Sequence, residues 1–231
     1  SKHLAREFGA AVPTWGYCSS PLAVDGKLIV NPGAKSASLV ALDLASGKEV
    51  WRCPGLPAAY ASFIVGTFGG VRQIVGYDQK SLGGWEPATR QRLRTLVPPV
   101  SCDFNVPTPI DAGGKLILAS ENNGTRIYDF DRSGSIRGKP IATNEDLSPD
   151  SSTPVLAGGR LFGCWYSLYC LQTDSTLKPL WTGDDDALGN YGSLIASADR
   201  VLVVSNRGEL LLVDATAEEF KIVSRQKVLG E

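Results

Sequence analysis

The sequence predicts an all-β fold, a β-propeller of four-stranded antiparallel blades, on three observations. A proline-led strand start followed by a turn and an apolar strand recurs at Pro21, Pro109 and Pro154. A hairpin end recurs with a period of about 43 residues, the range typical of propeller blades, at Trp51, Arg94, Arg137, Trp181 and Ile222. The 25 glycines and 14 prolines predict many turns between short strands, and no segment shows convincing helical periodicity.

These markers divide the chain into about five repeats within a single domain over residues 1–231. The predicted repeats cover approximately residues 14–57, 58–100, 101–146, 147–188 and 189–231. One four-stranded unit cannot bury both of its faces, so neighbouring units must stack on one another around an axis.

The bulk composition excludes some classes of function. A net charge of −1 argues against a dedicated nucleic-acid binder, which needs a basic face. No apolar run is long enough to predict a transmembrane segment, and residues 1–10 lack the apolar stretch of a signal peptide. Five scattered cysteines do not form a disulfide framework.

One copy of the repeat motif is well preserved. In the hairpin from Ala41 to Trp51, Asp43 is placed to accept N–H bonds from the turn, and Gly47 supplies the positive φ that the turn requires. Trp51 offers a large apolar wedge at the end of the returning strand. The fourth unit retains only Thr176 and Trp181 of this pattern.

This hairpin resembles the repeat motif of the pyrroloquinoline-quinone-type (PQQ-type) propellers, Ala-x-Asp-x-x-Thr-Gly-x-x-x-Trp, with Ser46 at the Thr position. The resemblance extends weakly over most of the chain and points to the quinoprotein alcohol dehydrogenase-like family, including its BamB-like bacterial members. It implies seven or eight blades, so we expect the five units to form part of a larger ring, with a closed five-blade ring as the alternative. It also implies a periplasmic, secreted or cell-envelope location in a bacterium.

The resemblance implies a non-catalytic scaffold that binds a protein partner or a small ligand on a loop face or on the axis. An incomplete ring would also favour self-association. Two alternatives stay open. One is a fragment or relative of a PQQ-dependent quinoprotein dehydrogenase, which would bind PQQ with calcium. The other is a carbohydrate- or peptide-binding module of a cell-surface protein.

The residues favour the non-catalytic hypothesis. His3 is the only histidine, which excludes Ser-His-Asp and Cys-His arrangements and His-based zinc sites. Family enzymes commonly hold a disulfide of adjacent cysteines beside the quinone, and no two cysteines are adjacent here. The oxygen-rich stretch from Glu121 to Asn123 matches no ligand motif. We therefore expect no catalytic residue and no cofactor.

Two acidic groups are weak candidates for a metal site. Asp129 and Asp131 match the opening of a calcium loop, but Pro140 stands where the bidentate Glu is required. Asp184 and Asp186 belong to an acidic run, and such runs are usually solvated loops.

The positions of the cysteines, of three arginines and of several aromatic residues lead to further predictions. Cys164 and Cys170 would lie opposite one another in a hairpin centred near Ser167, which permits a disulfide; two free buried thiols are the alternative. Alternation along a strand would place Arg90, Arg92 and Arg94 on one face, as a solvent-facing stripe or an anion site. Several aromatic side chains are expected at blade edges or loops, where some would line a binding face and most would pack between blades: Trp15, Tyr17, Trp85, Trp165, Tyr166 and Tyr191.

Overall fold

The computed structural model describes residues 2–101 and 103–230. Within them, twenty β-strands form five four-stranded antiparallel sheets in which the strands are hydrogen-bonded in chain order. The helix α1 (Leu4–Phe8) precedes the first sheet. These sheets confirm the predicted all-β fold with four-stranded antiparallel blades. Among the described residues, no helix has the length and apolar character needed to cross a membrane.

The five sheets are numbered here as blades in chain order. Blade 1 contains β1 (Leu22–Val24), β2 (Lys27–Val30), β3 (Leu39–Asp43) and β4 (Glu49–Cys53). Blade 2 contains β5 (Ile64–Phe68), β6 (Val71–Tyr77), β7 (Leu82–Trp85) and β8 (Arg92–Leu96). Blade 3 contains β9 (Ile110–Asp111), β10 (Leu116–Ser120), β11 (Gly124–Tyr128) and β12 (Ala142–Asn144). Blade 4 contains β13 (Val155–Ala157), β14 (Arg160–Trp165), β15 (Ser167–Gln172) and β16 (Pro179–Gly183). Blade 5 contains β17 (Gly192–Ala196), β18 (Arg200–Ser205), β19 (Glu209–Asp214) and β20 (Ile222–Lys227).

Successive blades stack face to face through buried apolar clusters. One cluster joins blades 1 and 2, and the next three join blades 2 and 3, blades 3 and 4, and blades 4 and 5. The first strands of successive blades contact one another, as β5 does with β9 and β13 with β17. The first strands therefore line a common axis, and the fourth strands lie on the outside.

The two ends of this stack are covered differently. On the outer face of blade 1, Phe8 of α1 packs with Val30 and Val40. On the outer face of blade 5, Leu202 lies between Leu212 and Ile195 in the strand register, and Ile195 is 64% exposed. Among the described residues, none of the clusters joins blade 1 to blade 5. The outer face of blade 5 thus carries a partly exposed apolar row.

The up-and-down order of the strands sorts the loops onto two faces. The turns between first and second strands and between third and fourth strands lie on one side, called the turn face here. The turns between second and third strands and the connectors between blades lie on the opposite side, called the connector face.

The best repeat motif forms the predicted turn. Asp43 Oδ1 accepts hydrogen bonds from Ser46 N at 2.7 Å and Ser46 Oγ at 2.6 Å, and Gly47 has a φ of 67°. The buried Ala41 pairs with Trp51 across β3 and β4. Trp51 Nε1 donates to Pro87 O of the next blade at 3.2 Å. The motif tryptophan therefore both packs between blades and ties one blade to the following turn.

The fourth unit reproduces this arrangement with other residues. Thr176 Oγ1 donates to Asp174 Oδ1 at 2.9 Å, and Trp181 Nε1 donates to Ala217 O of blade 5 at 3.2 Å. At the position of Gly47, blade 4 has Leu177 with a φ of 51°, and blade 2 has Arg90 with a φ of 63°. The left-handed turn is therefore retained in blades that have lost the glycine.

The predicted arginine stripe is wrong. Arg90 lies in the turn, and Arg92 is partly buried with its guanidinium 3.1 Å from Asp78 Oδ2. Arg94, at the motif tryptophan position, is buried between the rings of Phe68 and Phe130 and donates to Gly134 O. The alternation of side chains along a strand does not predict that Arg94 takes the place of the tryptophan that packs between blades.

The structure also contradicts the predicted opposition of Cys164 and Cys170. The hairpin turns at Tyr166, so Cys164 pairs with Leu168 and Cys170 pairs with Phe162. Diagonal neighbours of this kind lie about 7–8 Å apart, beyond the usual reach of a disulfide. Both cysteines are free, buried thiols in the cluster between blades 4 and 5.

Candidate functional site

Three aromatic side chains from separate segments meet on the connector face. Trp15 comes from the segment before blade 1, Tyr60 from the connector between blades 1 and 2, and Phe104 from the connector between blades 2 and 3. The ring centroid of Trp15 lies 4.6 Å from that of Phe104 and 5.3 Å from that of Tyr60. Trp15 is 59% exposed and Phe104 is 49% exposed. Large apolar rings left in water are typical of interaction sites.

The segment that carries Trp15 is tied to blade 1. Gly16 N donates to Pro13 O at 2.9 Å, which forms a tight turn immediately around Trp15. Tyr17 Oη donates to Pro32 O at 3.1 Å, which fastens the segment to the turn between β2 and β3. These two hydrogen bonds therefore fix the backbone around Trp15, while the indole ring stays exposed.

Beside these rings lies a cavity of about 710 Å³, called the connector-face pocket here. It is bounded by the segment before blade 1, the two following connectors and the turn between β6 and β7. Its lining residues are Ala11 to Thr14, Pro57 to Tyr60, Gln79, Lys80, Val97, Pro98, Val100, Ser101 and Asp103 to Asn105. The volume is in the range of ligand-binding clefts, and most of the wall is apolar with a few polar groups.

Asn105 joins the walls of the pocket. Its backbone has a φ of 55°, a left-handed conformation that Asn tolerates better than most residues. Asn105 O accepts a hydrogen bond from Ala61 N at 2.9 Å, and its Nδ2 donates to Asp78 O and Gln79 O at 3.4 and 3.3 Å. Because Nδ2 faces two carbonyls, the amide orientation is fixed, and the buried Oδ1 has no partner among the described residues.

The turn between β6 and β7 is rigid at its base. Buried Asp78 accepts hydrogen bonds through Oδ1 from Lys80 N at 3.0 Å and Ser81 N at 2.8 Å. Its second oxygen is paired with Arg92 at 3.1 Å. The charge of Asp78 is thus compensated within blade 2, and the exposed side chain of Lys80 projects from a fixed backbone.

Asp103 contributes a carboxylate to the wall of the pocket, and both oxygens of this carboxylate already accept hydrogen bonds. Asp103 Oδ1 accepts hydrogen bonds from Asn122 N and Asn122 Nδ2 at 2.9 and 2.8 Å, and Oδ2 accepts one from Asn123 Nδ2 at 2.5 Å. Asn123 is held in turn by Val100 N, which donates to its Oδ1 at 2.9 Å. These bonds attach the connector between blades 2 and 3 to blade 3.

The fold was compared with solved structures. A crystal structure of the computationally designed Ika8 protein matches with a TM-score of 0.65 and 11% identity, over 87% of this chain and 59% of that one. The crystal structure of BamB from Moraxella catarrhalis matches with a TM-score of 0.62 and 18% identity, over 92% of this chain and 61% of that one.

The fold is that of a β-propeller. The chain spans about three fifths of the length of each of these two structures. In sequence, no protein-family model matches the chain, and no curated protein matches it.

Three of the four acidic metal candidates, Asp129, Asp131 and Asp184, accept hydrogen bonds from other groups of the protein. Asp131 Oδ1 accepts hydrogen bonds from Ser133 N at 2.8 Å and Ser133 Oγ at 2.6 Å, and Asp129 Oδ1 accepts one from Phe130 N at 2.8 Å. Asp184 Oδ1 accepts a bond from Ser167 Oγ at 2.6 Å. Asp186 has no hydrogen bond to its carboxylate within residues 2–101 and 103–230. Within the same residues, no three His, Cys, Asp or Glu side chains converge as metal ligands.

No three His, Cys, Asp or Glu side chains converge among the described residues at a place that would hold a calcium-bound quinone. Such a site needs several oxygen ligands around one ion. The side chains of Asn122 and Asn123 are engaged with Asp103, as given above, and Glu121 lies near Asp103 and Asp150 without forming a ligand group. Burial and these neighbouring carboxylates raise the pKa of Glu121.

One member of the aromatic cluster was predicted from the sequence. Trp15 was among the aromatic residues expected in loops, whereas Trp85, named with it, is 4% exposed and packs between blades 1 and 2. Tyr60, Phe104 and Lys80 were not singled out. Their segments are far apart in the sequence, and only the stacking of blades brings them together.

Proposed function

We propose that this chain is a non-catalytic propeller scaffold that binds a segment of another protein in the connector-face pocket. The observation that carries the proposal is the exposed aromatic cluster of Trp15, Tyr60 and Phe104 at the edge of a cavity of about 710 Å³. Aromatic side chains of this kind supply much of the binding energy of protein interfaces. The resemblance to BamB-like propellers supports a scaffold role in the bacterial cell envelope.

The chemistry of the wall favours a protein segment over a sugar. Exposed aliphatic side chains such as Val12, Val97 and Val100 surround the rings. Carbohydrates need many free polar side chains beside an aromatic platform, and here Asp103 and the Nδ2 of Asn105 are already hydrogen-bonded. Apolar side chains from an extended segment match this surface better.

A peptide-display selection tests the proposal. A library of random ten-residue peptides is selected on the wild-type chain, and the recovered peptides are measured against Trp15→Ala and Phe104→Ala. We expect each substitution to weaken binding by at least about tenfold, the range for truncating an aromatic hot spot. The matched control is Tyr191→Ala, which removes an exposed aromatic side chain that lies outside the pocket.

Two outcomes of that selection contradict the proposal. One is the absence of any peptide whose binding depends on Trp15. The other is binding of a soluble oligosaccharide, from a panel that includes chitotetraose and maltoheptaose, that is lost in Trp15→Ala. The second outcome would favour the carbohydrate-binding module.

The dehydrogenase alternative has a separate test. The chain is mixed with PQQ and Ca²⁺, unbound quinone is removed, and the absorbance of the bound fraction is recorded. We expect no stoichiometric complex because no three His, Cys, Asp or Glu side chains converge within the described residues to hold the calcium ion. Recovery of one quinone per chain would overturn the non-catalytic scaffold.

A further inference from the structure

We infer that the connector-face pocket selects an extended peptide segment that carries a carboxylate next to an apolar anchor, with Lys80 as the residue that recognises the carboxylate. This inference rests on the proposed function and deepens it, because it assigns a chemical class to the segment. Three properties of the pocket carry it: its apolar wall, its charges and the rigidity of the turn that bears Lys80.

The apolar wall determines the anchor. Val12, Val97, Val100 and Phe104 line the cavity and expose more than a third of their surface, and Trp15 lies against Phe104. Burying a side chain such as Phe or Leu against this surface contributes roughly 1.5–3 kcal/mol before the cost of association. An apolar side chain is therefore the part of a ligand that gains most from this pocket.

The charges determine what should flank the anchor. Lys80 and Asp103 are the two charged side chains of the lining. Both oxygens of Asp103 accept hydrogen bonds from the asparagines of blade 3. The Lys80 ammonium has no hydrogen bond or ion pair in the described part of the chain. Asp103 keeps its negative charge but is held by these asparagines, so the pocket presents Lys80 as a cation without an ion-pair partner among the described residues, which can attract an anion and repel a basic side chain.

The turn that bears Lys80 holds the backbone of this residue at a fixed place relative to the aromatic rings. Asp78 accepts the Lys80 N–H, and Asn105 Nδ2 bonds the carbonyls of Asp78 and Gln79. Asn105 directly follows Phe104, so one residue pair connects the turn and the aromatic wall. The point from which the Lys80 side chain extends is therefore fixed relative to the anchor site, and the flexible side chain can reach a ligand group beside the anchor.

The ligand group is a carboxylate and not a phosphate. Phosphate recognition in proteins uses clusters of arginines or several backbone N–H groups. In the part of the chain that the structure describes, the lining contains no arginine and only one lysine. A single flexible ammonium suits the side chain of an Asp or Glu, or the end of a chain.

Two matched peptides test this inference. Ac-Ala-Ala-Phe-Asp-Ala-Ala-NH₂ and its Asn counterpart carry the same anchor and differ only in charge, and a 4-fluoro group on Phe reports binding by ¹⁹F NMR. We expect the Asp peptide to bind about two- to fivefold more tightly at low salt, the usual range for an exposed ion pair. The preference should disappear at about 0.5 M NaCl because salt screens the pair.

Substitutions identify the residue responsible. Lys80→Gln should abolish the preference and leave the affinity for the Asn peptide unchanged, and Lys80→Glu should make the Asp peptide the weaker ligand. The matched control is Lys48→Gln, an exposed lysine on the turn face, which should preserve the preference. Trp15→Ala should weaken both peptides equally.

The results separate the two proposals. If both peptides bind through Trp15 with equal affinity, or if the preference survives in Lys80→Gln, the inference on Lys80 is wrong and the proposed function stands. If neither peptide binds to the wild-type chain, or if Trp15→Ala has no effect, both proposals fail.

Discussion

The backbone at the motif glycine position is set by the turn and not by the residue type. Gly47 has a φ of 67°, and Arg90 and Leu177 adopt nearly the same φ in blades 2 and 4. A residue with a side chain is strained there by roughly 1–2 kcal/mol. The turn persists because the strands on either side fix its geometry.

A pair of substitutions should have opposite effects at this position. Arg90→Gly removes the strain from an exposed residue and loses one hydrogen bond to Arg52 O, so we expect the free energy of unfolding to stay equal or rise by up to about 1 kcal/mol. Leu177→Gly deletes a side chain that is fully buried in the cluster between blades 3 and 4, so it should lower that energy by about 2–4 kcal/mol. Urea denaturation measures both changes. Equal losses in the two variants would contradict this account.

At the scale of the element, each β3–β4-type turn is closed by an acidic residue and a Ser or Thr. The acidic residues are Asp43, Glu86, Asp131, Asp174 and Asp214 in blades 1 to 5, and each carboxylate accepts a bond from a hydroxyl of its turn. The sequence motif is well preserved in only one blade. The hydrogen bond between a carboxylate and a hydroxyl that closes the turn is nevertheless present in all five described blades.

These turns should make stability depend on pH. Hydrogen bonds from Ser or Thr hydroxyls and backbone N–H groups lower the pKa of Asp43, Asp131, Asp174 and Asp214. A lowered pKa in the folded state stabilises the fold above the unfolded pKa of about 3.9, and this stabilisation is lost as the pH falls through the folded pKa. We expect Asp43→Asn to reduce the loss of stability between pH 5 and about 2, measured by urea denaturation.

The control for that measurement is Asp186→Asn, because no hydrogen bond reaches this carboxylate among residues 2–101 and 103–230. An unchanged pH dependence in Asp43→Asn, or an equal change in Asp186→Asn, would contradict the role of the turn carboxylate.

The tryptophan position of the repeat motif, like the glycine position, is filled by another residue in blade 2, where Arg94 stands. Like Trp51 and Trp181, Arg94 donates to a backbone carbonyl in the next blade. Its guanidinium lies 4.4 Å from the ring centroid of Phe130 and 5.6 Å from that of Phe68. Burial lowers the pKa of Arg94 to about 10, so the side chain stays charged at neutral pH.

Truncation of Arg94 should therefore be costly. Arg94→Ala leaves a cavity between two rings and removes the donor to Gly134 O, and we expect it to lower the free energy of unfolding by about 2–4 kcal/mol. Arg94→Met refills much of the space with an apolar chain and avoids burying a charge, so its cost should be smaller. Urea denaturation decides the order. A loss in Arg94→Met that equals or exceeds the loss in Arg94→Ala would contradict the account in which packing between the two rings limits the cost.

The fold was predictable from the sequence to a greater extent than the pocket. Pro21, Pro109 and Pro154 mark blade starts, and the strands that follow them are short and apolar, so local pattern was sufficient. The position of Arg94 was mispredicted because a β-bulge between Gly84 and Trp85 and burial by neighbouring blades override simple alternation. Cys164 was misplaced because the hairpin turns one residue earlier than expected.

At the scale of the whole molecule, the stack has one covered end and one uncovered end. Helix α1 packs on blade 1 through Phe8, whereas Ile195, Leu202 and Leu212 form an apolar row on the outer face of blade 5. Exposed apolar rows on sheets promote association.

The chain should consequently self-associate as its concentration rises. We expect sedimentation velocity to show a dimer population that increases with concentration, and Ile195→Lys to shift the chain towards monomer by placing a charge on the row. The control is Lys48→Gln, which lies away from this row and should leave the dimer population unchanged. A concentration-independent monomer in the wild-type chain would contradict the prediction.

The connector-face pocket has a consequence for how such a protein could acquire new ligands. Its lining comes from loops and connectors, whereas the clusters that hold the blades together are built largely from strand residues. Recognition and folding are thus encoded largely by different positions. Exchange of the connectors with those of another propeller should therefore transfer the binding preference of that propeller to this chain, while the blades keep their fold.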